Sequence, residues 1–247
     1  MKFLTLEETG STNSYADAHA RELEPDTMII ARTQTAGRGQ RGNSWEAEPG
    51  KNLTFTLFHR PADILPTEQF AISEATALAV CDALAAYGIE AKVKWPNDIY
   101  VGDRKICGIL IEHSVLPSRI EHSRIGAGIN VNQTRFLSDA PNPVSMKQIL
   151  NPESDIDLGS FAESVYEKLL SRLRQAESPD TRQDLHREFT GSMWRFDGKP
   201  YPFRRRGEQE SFPGIIVNVD STGPISIKDT RSGAVDSFIF KEIEFIL

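Results

Sequence analysis

The stretch Gln34-Thr35-Ala36-Gly37-Arg38-Gly39-Gln40-Arg41-Gly42-Asn43-Ser44-Trp45 sets three glycines and two arginines in six residues and closes on a tryptophan. Glycine lets backbone N–H groups turn toward a ligand with no Cβ in the way. Arginine adds a forked donor that suits carboxylate and phosphate oxygens. The make-up is that of a loop that surrounds an anion; its bland alternative is an ordinary surface loop. Gly37-x-Gly39-x-x-Gly42 also fits the dinucleotide-binding pattern letter for letter. That pattern must open a helix whose N-terminus holds the pyrophosphate. Here the chain runs through Pro49-Gly50 into Leu53–Phe58, which reads as a strand, so a Rossmann site is rejected. A P-loop fails too, because Asn52 follows Lys51 where Ser or Thr is required.

Further candidates lie in Lys94-Trp95-Pro96-Asn97-Asp98. Pro96 removes a ladder N–H, which puts Asn97 and Asp98 at a strand break rather than inside a sheet. Lys105-Ile106-Cys107-Gly108-Ile109-Leu110-Ile111-Glu112 follows as an apolar strand carrying a lysine and a glycine. A glycine there marks close approach by a ligand or another backbone. Gly126-Ala127-Gly128-Ile129-Asn130 is likewise poor material for a plain core strand. Bland readings stand beside these: Lys105 as a solvated hairpin lysine, Trp95 as a core aromatic, and Ser11, Thr12 and Asn13 as helix caps. Lys105 and Gly108 have opposite strand parity, so a ligand touching both must cross the strand end, or a bulge must intervene.

The elements that must position these residues follow from periodicity. Strands are predicted at Phe3–Leu6, Thr27–Ala31, Leu53–His59, Ile89–Trp95, Lys105–Glu112 and Ile125–Asn132. Helices are predicted at Asn13–Leu23, from an N-cap at Thr67 to Gly88, at Phe161–Leu173 and at Thr181–Phe189. Residues 136–157 read as an irregular connection, with 136–150 a candidate loop over the site. After Gly191 short strands broken by glycine-bearing turns predict a small all-β domain, barrel-like in pattern.

The whole chain narrows the class. Its 247 residues allow one sizeable core, or one core and a small satellite domain. A net charge of −7 argues against a general nucleic-acid binder. No apolar run reaches the length of a membrane span, and Met1–Glu8 is too short and charged for a signal peptide. Cys81 and Cys107 sit inside apolar patterns and read as reduced, buried thiols, so a cytoplasmic protein is expected. His19, His59, His113, His122 and His186 show no metal-ligand spacing.

Five pieces, taken in order, resemble the biotin–protein ligases: Ser11-Thr12-Asn13, the glycine–arginine loop, Lys94–Asp98, Lys105–Glu112 and Gly126–Asn130. The motifs run from about residue 9 to 132, and the terminal β region fits the family's SH3-like module. The resemblance implies an α+β fold of the class II synthetase-like biotin/lipoate ligase type. A mixed β-sheet catalytic domain packed with helices would span residues 1–192, and a small SH3-like β-barrel domain residues 193–247. It also implies a two-step reaction. Biotin and ATP form biotinyl-5′-adenylate and pyrophosphate, with Mg²⁺ accompanying ATP. The adenylate then acylates one lysine of a carrier domain in a biotin-dependent carboxylase, as in a biotin–[acetyl-CoA-carboxylase] ligase.

By the same resemblance, Ser11, Thr12, Asn13 and Gln34 bind the ureido head of biotin, and Gly37, Arg38, Gly39, Gln40 and Lys105 line its acid side. Gly108 and Gly126 admit close backbone approach. Arg38, Gln40, Arg41, Trp45, Asn97, Asp98, Lys105 and Asn130 form the ATP side, with Asn130 near adenine. Lys105, Arg38 and Asp98 are the catalytic candidates, and for Asp98 the roles of base, metal ligand and positioning group stay open. The residues suit this chemistry in their own right. Bringing a carboxylate to a phosphate needs cations and backbone donors, and a mixed anhydride needs a loop that excludes water. An acceptor lysine, with a reference pKa of about 10.4, must lose a proton before attack.

Two departures stand out. Gln40 occupies a position where the family loop commonly has a second arginine, and no helix-turn-helix precedes Ser11, so a monofunctional type without operator binding is expected. Two other readings compete: a lipoate or octanoate ligase or transferase of the same fold, whose characteristic loops are not seen, and a non-catalytic carrier-binding module. The oligomeric state is left open, with a homodimer among the options.

Overall fold

Runs of alternating buried side chains build the strands, and the computed structural model joins them into two sheets. It describes residues 1–138 and 142–247, and of Arg41 the backbone only. The first sheet contains β1 (Lys2–Thr9), β2 (Thr27–Gln34), β3 (Leu53–His59), β4 (Lys92–Lys94), β5 (Asp98–Val101), β6 (Arg104–Leu116) and β7 (Arg119–Ile129). Its order among the described residues is β1-β2-β3-β7-β6-β5-β4. β1 and β2 pair parallel and the other neighbours antiparallel, which makes the sheet mixed.

One face of this sheet carries Met28, Phe55, Leu57, Cys107, Ile109, Ile125 and Ile129 into the main core. Helix α2 (Phe70–Ala85) lies there, buried nearly all round, and is covered in turn by α4 (Leu158–Glu177) and α5 (Pro179–Gly191). Arg172 of α4 ties the three together, reaching Asp82 of α2 at 2.8 Å and Glu188 of α5 at 2.5 Å. The other face is covered over β2, β3 and β7 by α1 (Thr12–Ala18), with Ala16, Ile29 and Phe58 as a second, smaller core. That face holds the polar residues and glycines picked out in the sequence. A short α3 (Met146–Leu150) follows the connection after β7.

The second sheet contains β8 (Tyr201–Arg205), β9 (Phe212–Val219), β10 (Ile225–Asp229), β11 (Val235–Phe238) and β12 (Ile243–Phe245), all antiparallel in the order β11-β10-β9-β8-β12. It is the small β unit the terminal pattern predicts. Trp95 Nε1 donates to Gly223 O at 2.8 Å, and the Trp95 ring stacks on Phe245, so the second sheet packs directly on the proline-broken turn.

Several predicted elements differ in extent. α1 stops at Ala18 rather than Leu23, and Ser11 at its N-cap makes no side-chain cap bond, while Thr12 beside it bonds to Gln34 and Thr56. Thr67 is not an N-cap; Pro66–Glu68 forms a 3₁₀ turn before α2. Only Lys92–Lys94 of the predicted Ile89–Trp95 strand is extended in the sheet, since Val93 also pairs with the segment around Met193. No helix of the described residues is long and apolar enough to cross a membrane.

Candidate active site

The strand register lays out the floor of the site. Thr54, Gly128, Gly108 and Asp98 are successive partners across β3, β7, β6 and β5, and Thr56, Gly126 and Leu110 form the next row. Two glycines side by side in one row leave a trough. An added Cβ on Gly128 would stand 2.3 Å from the Trp45 indole, and on Gly126 2.2 Å from Asn13 Oδ1. Trp45 lies in that trough, and its Nε1 is buried with no hydrogen-bond partner among the described residues. The cleft above measures about 1220 Å³, ample for a vitamin and a nucleotide together.

The parity conflict of Lys105 and Gly108 is resolved by a bulge. Ile99 opposes Cys107 and Tyr100 opposes Lys105, so Ile106 is an extra residue in β6. Lys105 is thereby turned to the face of Gly108, where a Cβ would lie 3.3 Å from Lys105 Nζ. Lys105 Nζ meets Asp98 Oδ1 at 2.7 Å, and the ammonium sits 5.7 Å from the centre of the Trp45 ring. Lys94 lies nearby over the rings of Tyr100 and Phe245. Burial pulls its ammonium below the usual lysine pKa, against the pull of Asp98. Asn97 sits where the strand break was predicted, but its Nδ2 is spent on Ile109 O at 2.7 Å. Asn130 donates Nδ2 to Val144 O, while its Oδ1 is buried and unpartnered among the described residues.

The predicted ureido end is a compact polar cluster. Ser11, Thr12 and Asn13 are buried at the head of α1. Gln34 Oε1 accepts from Thr12 N at 2.8 Å and from Thr12 Oγ1 at 3.2 Å. Thr56 Oγ1 lies 2.8 Å from Thr12 Oγ1 and 2.5 Å from Asn13 Oδ1. Asn13 Nδ2 donates to Leu110 O and to Glu112 Oε2. Two hydroxyls and two amides linked in one hydrogen-bonded chain, largely buried, form a rigid polar socket.

Residues 37–45 form a narrow hairpin with a 3₁₀ turn at Gln40–Gly42. Trp45 N donates to Gly37 O, Gly39 N donates to Asn43 O, and Gly42 has φ +89°, a left-handed conformation that favours glycine. Gly39 and Gln40 line the cleft. Gly37 does not; it is backed against the Trp45 carbonyl, where a Cβ would come within 2.5 Å, so its need is the close crossing of the hairpin strands. Arg38 lines the cleft, yet its guanidinium is held by Glu112, Nη2 to Oε1 at 2.8 Å. The side chain of Arg41 lies outside the described residues.

The connection after β7 does run beside the site, in its described parts. Lys105 N donates to Asn142 O and Val144 N to Lys105 O, and Phe136, Ser138 and Pro143 line the cleft. Residues 139–141 of the predicted loop lie outside the described set. Glu46, next to Trp45, accepts from Leu137 N, Ser138 N and Gln133 Nε2. Burial works against that carboxylate's charge, but these donors hold its pKa below the usual value. The hairpin and the connection are therefore fastened to each other.

Sequence reasoning missed five contributors. Thr56, Glu112 and Glu46 were assigned no role, and from the second sheet Arg204 and Arg206 reach the cleft. Glu112 could have been found by period two, since Gly108, Leu110 and Glu112 share a face.

The cleft thus has a polar socket at one end, a glycine trough and an amine–carboxylate pair in the middle. Residues 6–130 match the biotin/lipoate A/B protein ligase family. The bifunctional ligase/repressor BirA of Escherichia coli K12 is 36% identical over 133 residues, which cover 53% of this chain and 41% of that protein. The biotin–[acetyl-CoA-carboxylase] ligase of Paracoccus denitrificans is 35% identical over 165 residues, covering 62% of this chain and 68% of that one. The biotin protein ligase of Aquifex aeolicus, solved with biotin and ATP, has the same fold, with a TM-score of 0.79 over 99% of this chain and 98% of that one at 21% identity. The chain therefore belongs to the biotin/lipoate A/B protein ligase family.

Proposed function

We propose that this chain activates biotin with ATP to biotinyl-5′-adenylate and transfers the biotinyl group to one lysine of a carboxylase carrier domain. The observation that carries the reading is the shared face of the sheet: the Thr12–Asn13–Gln34–Thr56 socket, the glycine trough and the Lys105–Asp98 pair follow one another along it. A vitamin with a polar ring, an aliphatic tail and a terminal acid has that sequence of needs. The Paracoccus relative's name supports acetyl-CoA carboxylase as the acceptor enzyme. We take residues 1–192 as the catalytic domain and 193–247 as the β domain.

In the first step a biotin carboxylate oxygen attacks the α-phosphorus, and the bond to pyrophosphate breaks. Two anions meet, so Lys105 and Arg38, which both line the cleft, supply the opposing field. Trp45 and the fastened loops exclude water from the mixed anhydride. Asn130 Oδ1 offers an unpaired acceptor for the adenine amino group. In the second step the acceptor amine attacks the acyl carbon and AMP leaves. Asp98 gives Oδ1 to Lys105 and keeps Oδ2 to receive the incoming ammonium and its proton. For Mg²⁺ the donor set fits an ion that arrives on the triphosphate. Among the described residues no three His, Cys, Asp or Glu side chains converge, and Asp98 would add one oxygen. When bound there, the metal supplies neutralisation of phosphate charge.

Lipoate or octanoate transfer fits the socket poorly, because a dithiolane or alkyl end brings no donor or acceptor to its buried amides and hydroxyls. The deciding experiment presents ATP, a carrier domain and either labelled biotin or labelled lipoate. Biotin-dependent pyrophosphate release with label on the carrier is expected; labelling by lipoate alone, or none by either, overturns the reading.

A further inference from the structure

The Asn13 amide is the group at the deep end of the socket whose polarity decides what can bind. Its Nδ2 donates to Leu110 O at 3.2 Å and to Glu112 Oε2 at 3.0 Å. Both partners are pure acceptors, so the inverted amide would set an oxygen against a carbonyl and a carboxylate. The orientation is locked, and Oδ1 faces Thr56 Oγ1 and the open backbone of Gly126. One lone pair of Oδ1 takes the Thr56 hydroxyl; the other is presented above the glycine floor to an N–H donor.

The carboxylate that locks it has a second engagement. Glu112 Oε1 accepts from Arg38 Nη2 at 2.8 Å, and Oε2 lies 3.4 Å from Arg38 Nη1. The Glu112 side chain is 26% exposed and carries the charge that Arg38 balances, while Asn13 is 3% exposed. One side chain thus fixes the acceptor at the polar end and steadies the arginine of the anion-binding hairpin.

We infer that Glu112 is a positioning residue that makes the socket selective for a ring N–H, acting through Asn13. This deepens the biotin reading and rests on it: a ureido ring brings such an N–H, and a dithiolane does not. A site built to pair an N–H rejects an analogue lacking it far more strongly than a hydrophobic slot rejects a missing methylene. Glu112→Gln keeps the shape but removes the charge and replaces one oxygen by an amide NH₂, so the Asn13 amide and Arg38 can no longer both meet an acceptor.

The test is titration calorimetry of the full chain with biotin and with biotin methylated on a ureido nitrogen, without ATP. Wild type is expected to bind biotin at least 100-fold more tightly than the methylated analogue. Glu112→Gln is expected to weaken biotin roughly tenfold and to narrow that discrimination. The double variant Asn13→Ala with Glu112→Gln should bind as Asn13→Ala alone does. Additive effects with Asn13→Ala, or unchanged biotin affinity in Glu112→Gln, overturn the inference and leave the biotin reading standing. Equal binding of the two ligands by wild type overturns it without recourse to any variant. No heat from biotin with wild type overturns the biotin reading, and the inference with it.

Discussion

Lys105 Nζ and Asp98 Oδ1 are 2.7 Å apart, and each side chain keeps part of its surface open to the cleft. An ion pair this close holds the amine still, in the proposed reaction between acid and phosphate. It also ties the residue of the first step to that of the second, which makes their separate removal informative. Lys105→Ala is expected to lower biotin-dependent pyrophosphate exchange by roughly 10²–10³-fold with an unchanged circular dichroism spectrum. Exchange within threefold of wild type would remove Lys105 from the first step.

Asp98→Asn keeps the shape and removes the charge. Transfer to the carrier should slow by roughly 10²–10⁴-fold, while single-turnover adenylate formation changes much less. Rapid-quench measurement of the two half-reactions separates them, and an equal loss in both would assign Asp98 to ATP rather than to the acceptor lysine.

Gly128→Ala sets a methyl against Trp45, where the ideal Cβ is 2.3 Å from the indole. Overpacking of this kind costs about 1–3 kcal/mol. The indole must leave the trough, so biotin KM should rise at least tenfold and the tryptophan emission should shift. Unaltered emission and KM would show that the floor has slack.

A pH effect should arise far from the cleft. His59 is buried between Asp26 and Glu177; burial opposes its charge, but both carboxylates bond to it and raise its pKa from 6.5 to about 9. Its folded value thus exceeds its unfolded one, so the stability it contributes is complete below about 6.5 and disappears as pH rises through 9. The carboxylates of Asp26 and Glu177 are lowered instead, and their contribution is lost on acidification. The thermal midpoint of wild type should therefore fall more steeply between pH 6.5 and 9 than that of His59→Gln. Parallel curves would contradict this.

Trp95→Phe retains the packing but deletes the donor to Gly223 O. A lost bond of this sort costs about 0.5–1.5 kcal/mol. Hydrogen exchange in 201–245 should quicken before that in β2 and β3, with little change in adenylate formation; uniform quickening would mean that the two sheets open as one unit.

Much of this architecture was legible in the chain. Pro96 located the strand break, and Gly108 with the Gly126–Asn130 stretch located the trough, because glycine and proline act through their own backbone. Parity set Lys105 against Gly108, and only the extra residue at Ile106 reconciles them. Hydroxyls at the head of α1 looked like caps because local spacing cannot tell a cap from a socket; Thr56, 44 residues from Thr12, decides it. Glu46 looked like a solvated charge, since its partners are backbone N–H groups some ninety residues on. The second sheet's arginines were out of reach for the same reason: no periodicity inside one unit reports where it leans on another.

The extra residue at Ile106 makes the placement of Lys105 depend on one irregular pairing. Were Ile106 to pair as a regular member of the ladder, Lys105 would pass through the sheet to the helix-packed side; left out of the pairing, Ile106 keeps that lysine over the cleft. Among drifting relatives of this chain, a member whose ladder ran regular through that point would have its lysine on the wrong side with every letter of the motif intact.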